Sequence, residues 1–401
     1  MAQLINPLTS YFDGVYSDLS QIKISKGFMS IFANAGNGAR TRYINNATQI
    51  SVDLYRGYKK ISKVLSRGPN PGHINLGENS QHIKADYWQN VAYDFPLIQD
   101  SASVSYSELL QYRAFGHVDT DVSMSAIDKA KEELGRDLLT IIQMQGGKME
   151  AMAVEAMCSA KITLDDGTEY DFDRSASNTF TPLTLWSVVA TASPLGDLDD
   201  GCDVIQENGK TDAAACIMGY DGYKAMINTD EIKNFAKDNN RVDLVAFGRL
   251  KDAMPASMQY LVDNGFTYKG SVLTYKDRTI YIFGYNEKYQ DSTGTWTDYF
   301  NSKDALLFDH TARRDRYFGP RIRFDIMGEG ERELNRVLGM DMLEEMALRE
   351  SDPSGILDVG MFHFDAFMPD TRTNIYVECY TGPLFIPTAV DTTCLLDGVI
   401  A

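Results

Sequence analysis

Residues 128–160 read DKAKEELGRDLLTIIQMQGGKMEAMAVEAMCSA, and residues 161–173 continue without a break as KITLDDGTEYDFD. In the first part Ile127, Ala130, Leu134, Leu138, Ile141, Met144, Met149, Met152, Ala156 and Met157 recur close to three-and-four spacing. That period predicts one amphipathic helix from Asp128 to Ala160, with Ser123 or Ser125 available to cap its start. At ~1.5 Å per residue it would measure about 50 Å, far longer than most helices of compact domains. Gly146-Gly147 at mid-length predicts a bend, and the methionines on the apolar side read as core filler against a sheet. In the second part Asp165-Asp166-Gly167 marks a hairpin turn. A three-residue loop with Gly167 left-handed sets Leu164 opposite Thr168 and Ile162 opposite Tyr170, which gathers the apolar residues on one face.

Upstream, KADYWQNVAYDFPLIQDSASVS (84–105) alternates Tyr87, Val91, Tyr93, Phe95 and Leu97 with mostly polar neighbours, as on a strand with one buried face. Before it lies a basic stretch holding Arg40, Arg42, Arg56, Lys59, Lys60, Lys63 and Arg67, closed by the breakers Gly68-Pro69-Asn70-Pro71-Gly72. Residues 1–70 carry nine Lys/Arg and three acidic residues, net +6, so a chain of net charge −18 has −24 on the remainder. This reads as a projecting, Pro/Gly-tipped excursion, whose charge is either a solvated face, the commoner case for such a run, or a surface for an acidic partner. Leu54, Tyr58, Ile61 and Leu65 within it fall at helical spacing, although Gly57 and the β-branched residues weaken a helix.

Downstream of Thr184, helical stretches alternate with strands, which gives a mixed α+β class. Residues 328–358, GEGERELNRVLGMDMLEEMALRESDPSGILD, look like an inserted helix between loops, and the tail from Asp370 is strand-like. The 401 residues exceed one minimal core, and 44% apolar with 11% aromatic residues is ordinary globular composition. A net charge of −18 argues against a surface that grips phosphate everywhere. Cys158, Cys202, Cys216, Cys379 and Cys394 include no C-x-x-C pair and make poor material for a disulfide framework. The N-terminus lacks the basic and apolar regions of an export signal, and no run of apolar residues is long enough to span a membrane.

Motifs for chemistry fail one after another. Gly36-Asn37-Gly38 lacks the third glycine of a dinucleotide loop, and no phosphate-loop lysine motif occurs. The run Asp197–Asp203 has Asn208 where a calcium loop needs Glu, so it reads as the acidic start of a helix. His73, His82, His117, His310 and His363 are scattered, His363 and Asp365 would merely share a strand face, and no metal or other cofactor is expected. Arg313, Arg314 and Arg316, with Arg321 and Arg323, form a second basic cluster interleaved with Tyr317 and Phe318. In an acidic protein that cluster points to salt bridges between subunits rather than to nucleic acid. A hydrolase using paired carboxylates has no motif support.

The order of these parts resembles the tailed-phage major capsid proteins, specifically the lambda-type major capsid protein E family. The likeness is carried by RGYKKISKVLSRG, AYDFPLIQDSASVSYSELLQYR, the long helix and its hairpin, SPLGDLDDGCDVI, DALLFDHTARRDRYFGPRIRF and YTGPLFIPTAVDTTCLLDGV. It implies the fold with N-arm (1–50), extended loop (51–100), peripheral domain with a spine helix (101–184), axial domain (185–365, with the insertion near 328–358) and C-terminal strands (366–401). A β-hairpin in the loop would then override the helical spacing at Leu54–Leu65. Phe12, Tyr16, Phe28, Ile31 and Phe32 become anchors of the arm, and Arg56, Lys59, Lys60, Lys63 and Arg67 intersubunit contacts of the loop. The resemblance further implies self-assembly into pentamers and hexamers of an icosahedral head in the host cytoplasm, around non-specifically held double-stranded DNA and without a membrane. A scaffolding protein, a portal and possible decoration proteins are implied as partners, the first because no long coiled coil precedes the arm. The insertion has no clear place in the family pattern. An encapsulin-type cargo shell is the alternative with the same fold.

Overall fold

The computed structural model describes residues 26–33, 39–44, 47–55, 88–105, 126–238, 242–247, 254–291, 293–320, 361–367 and 374–400. Ser123, Ser125, Tyr58, Ile61, Leu65, Tyr87, His73, His82, His117 and the 328–358 insertion lie outside them.

The first half comprises α1 (Gly27–Ala33), β1 (Thr41–Tyr43), the antiparallel pair β2 (Gln49–Tyr55) and β3 (Trp88–Asp94), and then β4 (Ile98–Ser105). Val52 and Leu54 alternate onto the core and are buried, so Leu54 belongs to a strand and strand periodicity displaces the helical spacing there. On β3 Tyr93 is buried, but the alternation expected to continue through Leu97 stops: Pro96 interrupts it and Leu97 is 50% exposed.

The long helix α2 runs Ala126–Cys158, with Leu138, Ile141, Ile142, Met149, Met152, Ala153, Ala156 and Met157 buried. Its stripe passes through Gln145 rather than Met144. At 3.6 residues per turn Met144 falls on the flank, 59% exposed, and does not fill the core. The helix continues through Gly146-Gly147, where a Cβ on Gly147 would stand 2.8 Å from the Tyr299 hydroxyl, so Gly147 permits this close approach. Beyond its end Ala160 is left-handed (φ 52°), and the Arg174 guanidinium closes the last turn. Nη1 donates to the Met157 carbonyl (3.2 Å) and Nη2 to that of Cys158 (2.6 Å), with Thr393 and Thr179 hydroxyls as further acceptors. A cation at the negative end of so long a helix is favourably placed. β5 (Lys161–Thr163) and β6 (Glu169–Asp171) follow in the expected register: Ile162 opposes Tyr170, the Leu164 N–H donates to the Thr168 carbonyl at 2.9 Å, and Gly167 has φ 84°.

The second half contains β7 (Thr179–Phe180), α3 (Pro194–Asn208), β8 (Ala215–Met218), α4 (Tyr220–Asn228), α5 (Asp230–Asp238), β9 (Val242–Leu244), α6 (Gln259–Asp263), β10 (Thr267–Leu273), β11 (Thr279–Gly284), the hairpin β12 (Lys288–Gln290) and β13 (Trp296–Asp298), β14 (Ala305–Phe308), β15 (Asp315–Phe318), β16 (His363–Phe367), β17 (Asn374–Thr381), β18 (Pro383–Ile386) and β19 (Thr393–Leu396). A mixed sheet forms in the order β7-β19-β14-β8-β11-β10-β9, while β1-β15-β18 and β16-β17-β4 make smaller ones. Strands β8, β14 and β19 are buried throughout, as continuous apolar runs with both faces covered should be. Their alternation divides the interior. Ala215, Ile217, Leu306, Phe308 and Leu395 face the core of α1 and α2, whereas Cys216, Met218, Leu307, Cys394 and Leu396 face Leu195, Leu198, Cys202 and Ile205 of α3.

The acidic run Asp197–Asp203 lies inside α3, where Asp197 occupies the first turn and accepts the Trp186 indole N–H at 2.7 Å. Burial pushes Asp197 up to about 6. The closing carboxylate at this helix start comes from elsewhere: Glu231 of α5 accepts the Leu195 N–H (3.0 Å) and the Ser193 hydroxyl (2.7 Å). All five cysteines are free thiols, and burial pushes Cys202 and Cys394 up to about 12, which makes them poor nucleophiles.

Arg174→Ala should lower the stability of the chain by about 2 kcal/mol, because two helix carbonyls lose a charged donor. The shift of the urea midpoint measures it, and a shift no larger than that of a surface Arg→Ala would contradict the capping role.

Candidate functional site: the seat of the N-terminal segment

Helix α1 has only seven residues, GFMSIFA, too few to be stable alone in water, and its Phe28, Met29, Ile31 and Phe32 are all buried. Packing therefore holds it. The Phe28 ring meets Tyr285 edge-on at 5.1 Å and Phe266 at 5.5 Å and stacks on Phe300 at 5.7 Å, and Phe32 meets Phe385 at 5.4 Å. Gly27 is required by this approach, since a Cβ there would fall 2.5 Å from the Tyr285 ring.

The polar counterpart is Glu150, fully buried on α2. Its Oε1 accepts the Phe28 N–H at 2.7 Å and the Tyr285 hydroxyl at 2.6 Å, and its Oε2 accepts the Met29 N–H at 2.9 Å. One carboxylate thus satisfies two otherwise unpartnered donors of the α1 start and joins three distant parts of the chain. Burial pushes Glu150 up to about 7 and outweighs the three hydrogen bonds that favour its charged form, while Glu287 adds repulsion. Burial, with the adjacent Glu150, also raises the Tyr285 phenol. A second buried polar group on the same helix, Gln145, donates to the Cys379 carbonyl (2.8 Å) and to Asp100 (3.1 Å), which ties α2 to β17 and β4.

The structure places Phe28, Ile31 and Phe32 in this one seat, whereas Phe12, Tyr16, Arg56, Lys59, Lys60, Lys63, Arg67, Arg321 and Arg323 lie outside the described residues. The remaining arginines do not form the exposed cluster expected from sequence. Arg314 is fully buried, donates to the Asp309 and Ala312 carbonyls at 3.0 Å, and lies over the Phe308 ring. Arg316 is 2% exposed and donates to the Thr41 hydroxyl at 2.6 Å. Arg313 pairs with Asp315 in its own chain through Nε at 2.9 Å. The reason is strand alternation, which sends Arg313, Asp315 and Tyr317 to one face and Arg316 and Phe318 to the other. Arg314 and Arg316 are thus engaged within the chain and present no surface for a neighbour. His363 packs its ring against Tyr380 at 5.4 Å. Among the described residues no three His, Cys, Asp or Glu side chains are grouped to hold a metal ion, and no helix is long and apolar enough to cross a membrane.

The sequence pattern of the phage major capsid protein E family matches residues 76–321. The chain belongs to the phage major capsid protein E family. It is thus a structural major capsid protein of the virion. Its fold is similar to that of a protein described as the capsid protein of a prophage of E. coli CFT073, at TM-score 0.57 and 15% identity, with 97% of each chain covered. A phage-related protein from Bordetella bronchiseptica follows at TM-score 0.43 and 10% identity, covering 96% of this chain and 97% of the other. An encapsulin from Synechococcus elongatus follows at TM-score 0.36 and 8% identity, covering 90% and 86%. Among curated proteins none matches at a significant level.

Sequence reading of this capsid protein missed Glu150, Tyr285, Gln145 and Arg174. Glu150 did leave a signal, as a lone carboxylate inside the stripe that runs through Met149, Ala153 and Met157. Because the folded pKa is raised from 4.5 to about 7, the folded chain binds the extra proton between those values. Stability contributed at Glu150 is therefore full below pH 4.5 and falls by about 3 kcal/mol as pH rises through 7. Glu150→Gln should be less stable in acid, with one α1 N–H left unpaired, and should lack this pH-dependent component. Urea unfolding of both chains at pH 5 and pH 8 checks it.

Proposed function

We propose that this capsid protein associates with copies of itself into pentamers and hexamers that close an icosahedral head around double-stranded DNA, assembled in the host cytoplasm. The single observation carrying this reading is the family match across residues 76–321. Residues 1–50 then act as the N-arm, 51–100 as the extended loop, 101–184 as the peripheral domain along α2, 185–365 as the axial domain on the seven-stranded sheet, and 366–401 as strands returning to both. A scaffolding protein and a portal complete the assembly, and decoration proteins are possible additions.

Charge supports the same mechanism. Residues 1–70 are net +6 on a chain of net −18, so the basic stretch Arg56–Arg67 is repelled least when it lies over an acidic neighbour. Exposed pairs contribute roughly 0–1 kcal/mol each, so cohesion comes from many repeated contacts together with apolar burial.

Purified chain imaged by negative stain, with static light scattering over a salt series, should show capsomers, shells or tubes that weaken as salt rises. Replacing Arg56, Lys59, Lys60, Lys63 and Arg67 by Gln should raise the concentration needed for assembly about tenfold and flatten its salt dependence. A salt-insensitive monomer at all concentrations, even with scaffold, would refute the reading.

A further inference from the structure

A cavity of about 370 Å³ opens beside strand β2, where Arg40, Arg42 and Arg313 converge with Asp53, Tyr55 and Asp315. Asp315 is 1% exposed and already engaged, its Oδ1 accepting the Arg40 backbone N–H at 3.0 Å and the Arg313 Nε–H at 2.9 Å. Arg40 and Arg42 are exposed, and no carboxylate among the described residues pairs with either; Arg42 overlies the Tyr317 ring at 5.9 Å. On a chain of net charge −18 this is a concave basic site with two arginines that form no ion pair with any described residue.

The opposite charge is displayed elsewhere on the same chain. Asp165 and Asp166 stand side by side at the turn of the β5–β6 hairpin, with the Asp165 side chain 89% exposed. The prong is stiff: Ile162 and Phe172 at its root are fully buried, and Lys161 bridges Glu169 and Asp171 at 3.2 and 3.3 Å across it. Asp166 is kept ionised by the Thr168 N–H at 2.8 Å, and Asp165 touches Lys148 at 2.8 Å. The tip lines a different groove, beside Leu97 and Met144, and so does not reach the arginine cavity of its own chain.

We propose that the Asp165–Asp166 tip of one copy enters the Arg40–Arg42–Arg313 cavity of a neighbouring copy. This rests on the shell-forming reading above. Two unlike patches on each copy make a heterologous contact, the kind that propagates into rings and lattices, and a rigid prong in a preformed cavity fixes the angle between neighbours. A second copy is favoured over a nucleic acid because Asp53 and Asp315 beside the arginines repel a continuous polyphosphate, whereas a single turn with two carboxylates needs only the guanidiniums.

The test is a charge exchange on the full chain. D165K/D166K and R40E/R42E should each raise the concentration needed for assembly about tenfold or more, read by light scattering and negative stain, and the four-fold variant should recover most of the loss. Circular dichroism and thermal melting establish that each variant folds. Where a reversal does not fold, D165N/D166N and R40Q/R42Q replace it, and their combination should cost no more than the worse of the two. Single variants that assemble like the unaltered chain, or losses that simply add, would overturn the pairing while leaving shell formation standing. Loss of DNA binding by R40E/R42E with normal assembly would reassign the cavity to phosphate and also overturn it. An unaltered chain that never assembles would overturn both readings.

Discussion

A carboxyl group placed in an apolar interior must have its oxygens satisfied on the spot, and Glu150 accepts from donors in two other parts of the chain. Phe28 and Met29 lie more than a hundred residues before it, and Tyr285 lies as far after it. The N-terminal segment, the long helix and the end of strand β11 are therefore tied to one another through this one buried group. The aromatic cluster around Phe28 supplies the apolar area, while the carboxylate supplies direction, because only one orientation of α1 points its unpaired N–H groups at Glu150.

From that junction the sheet organises the remainder. Strand β19 (Thr393–Leu396) is inserted between β7 and β14, more than 200 residues and some 85 residues away in sequence respectively, and β8 pairs parallel with β11. Such non-local pairing requires the C-terminal segment to be in place before the sheet is whole. The two apolar layers either side are then defined by the alternation along β8, β14 and β19, so the same short strands contribute to both cores.

For a protein that works by repetition, the division of charge between interior and surface matters more than any one contact. Arg174 and Arg314 are consumed inside the chain, one closing α2 and the other bonded to the Asp309 and Ala312 carbonyls. Arg40 and Arg42 remain at the surface beside a cavity, and Asp165 and Asp166 at the end of a stiff hairpin. Weak exposed pairs become directional only when the backbone beneath them is rigid, and here it is anchored by Ile162, Phe172 and the β1–β15 pairing.

Local chemistry makes much of this legible in the sequence. A three-to-four spacing over more than thirty residues determined helix α2 to within two residues at each end, and the Asp-Asp-Gly turn determined the β5–β6 register, because both depend on neighbours in sequence. The order of such parts sufficed to recognise the family. Tertiary structure alone decided which face each charge occupied. The Arg313–Arg316 run looked like one patch until strand alternation divided it, Met144 looked apolar-facing until the stripe passed through Gln145, and the helix spacing at Leu54 gave way to a partner strand, where it pairs with Gln89. Glu150 shows the limit most clearly: its position on the stripe was visible, but its donors are brought to it only by folding, since hydrogen bonding and desolvation depend on distances in space that no spacing along the chain records.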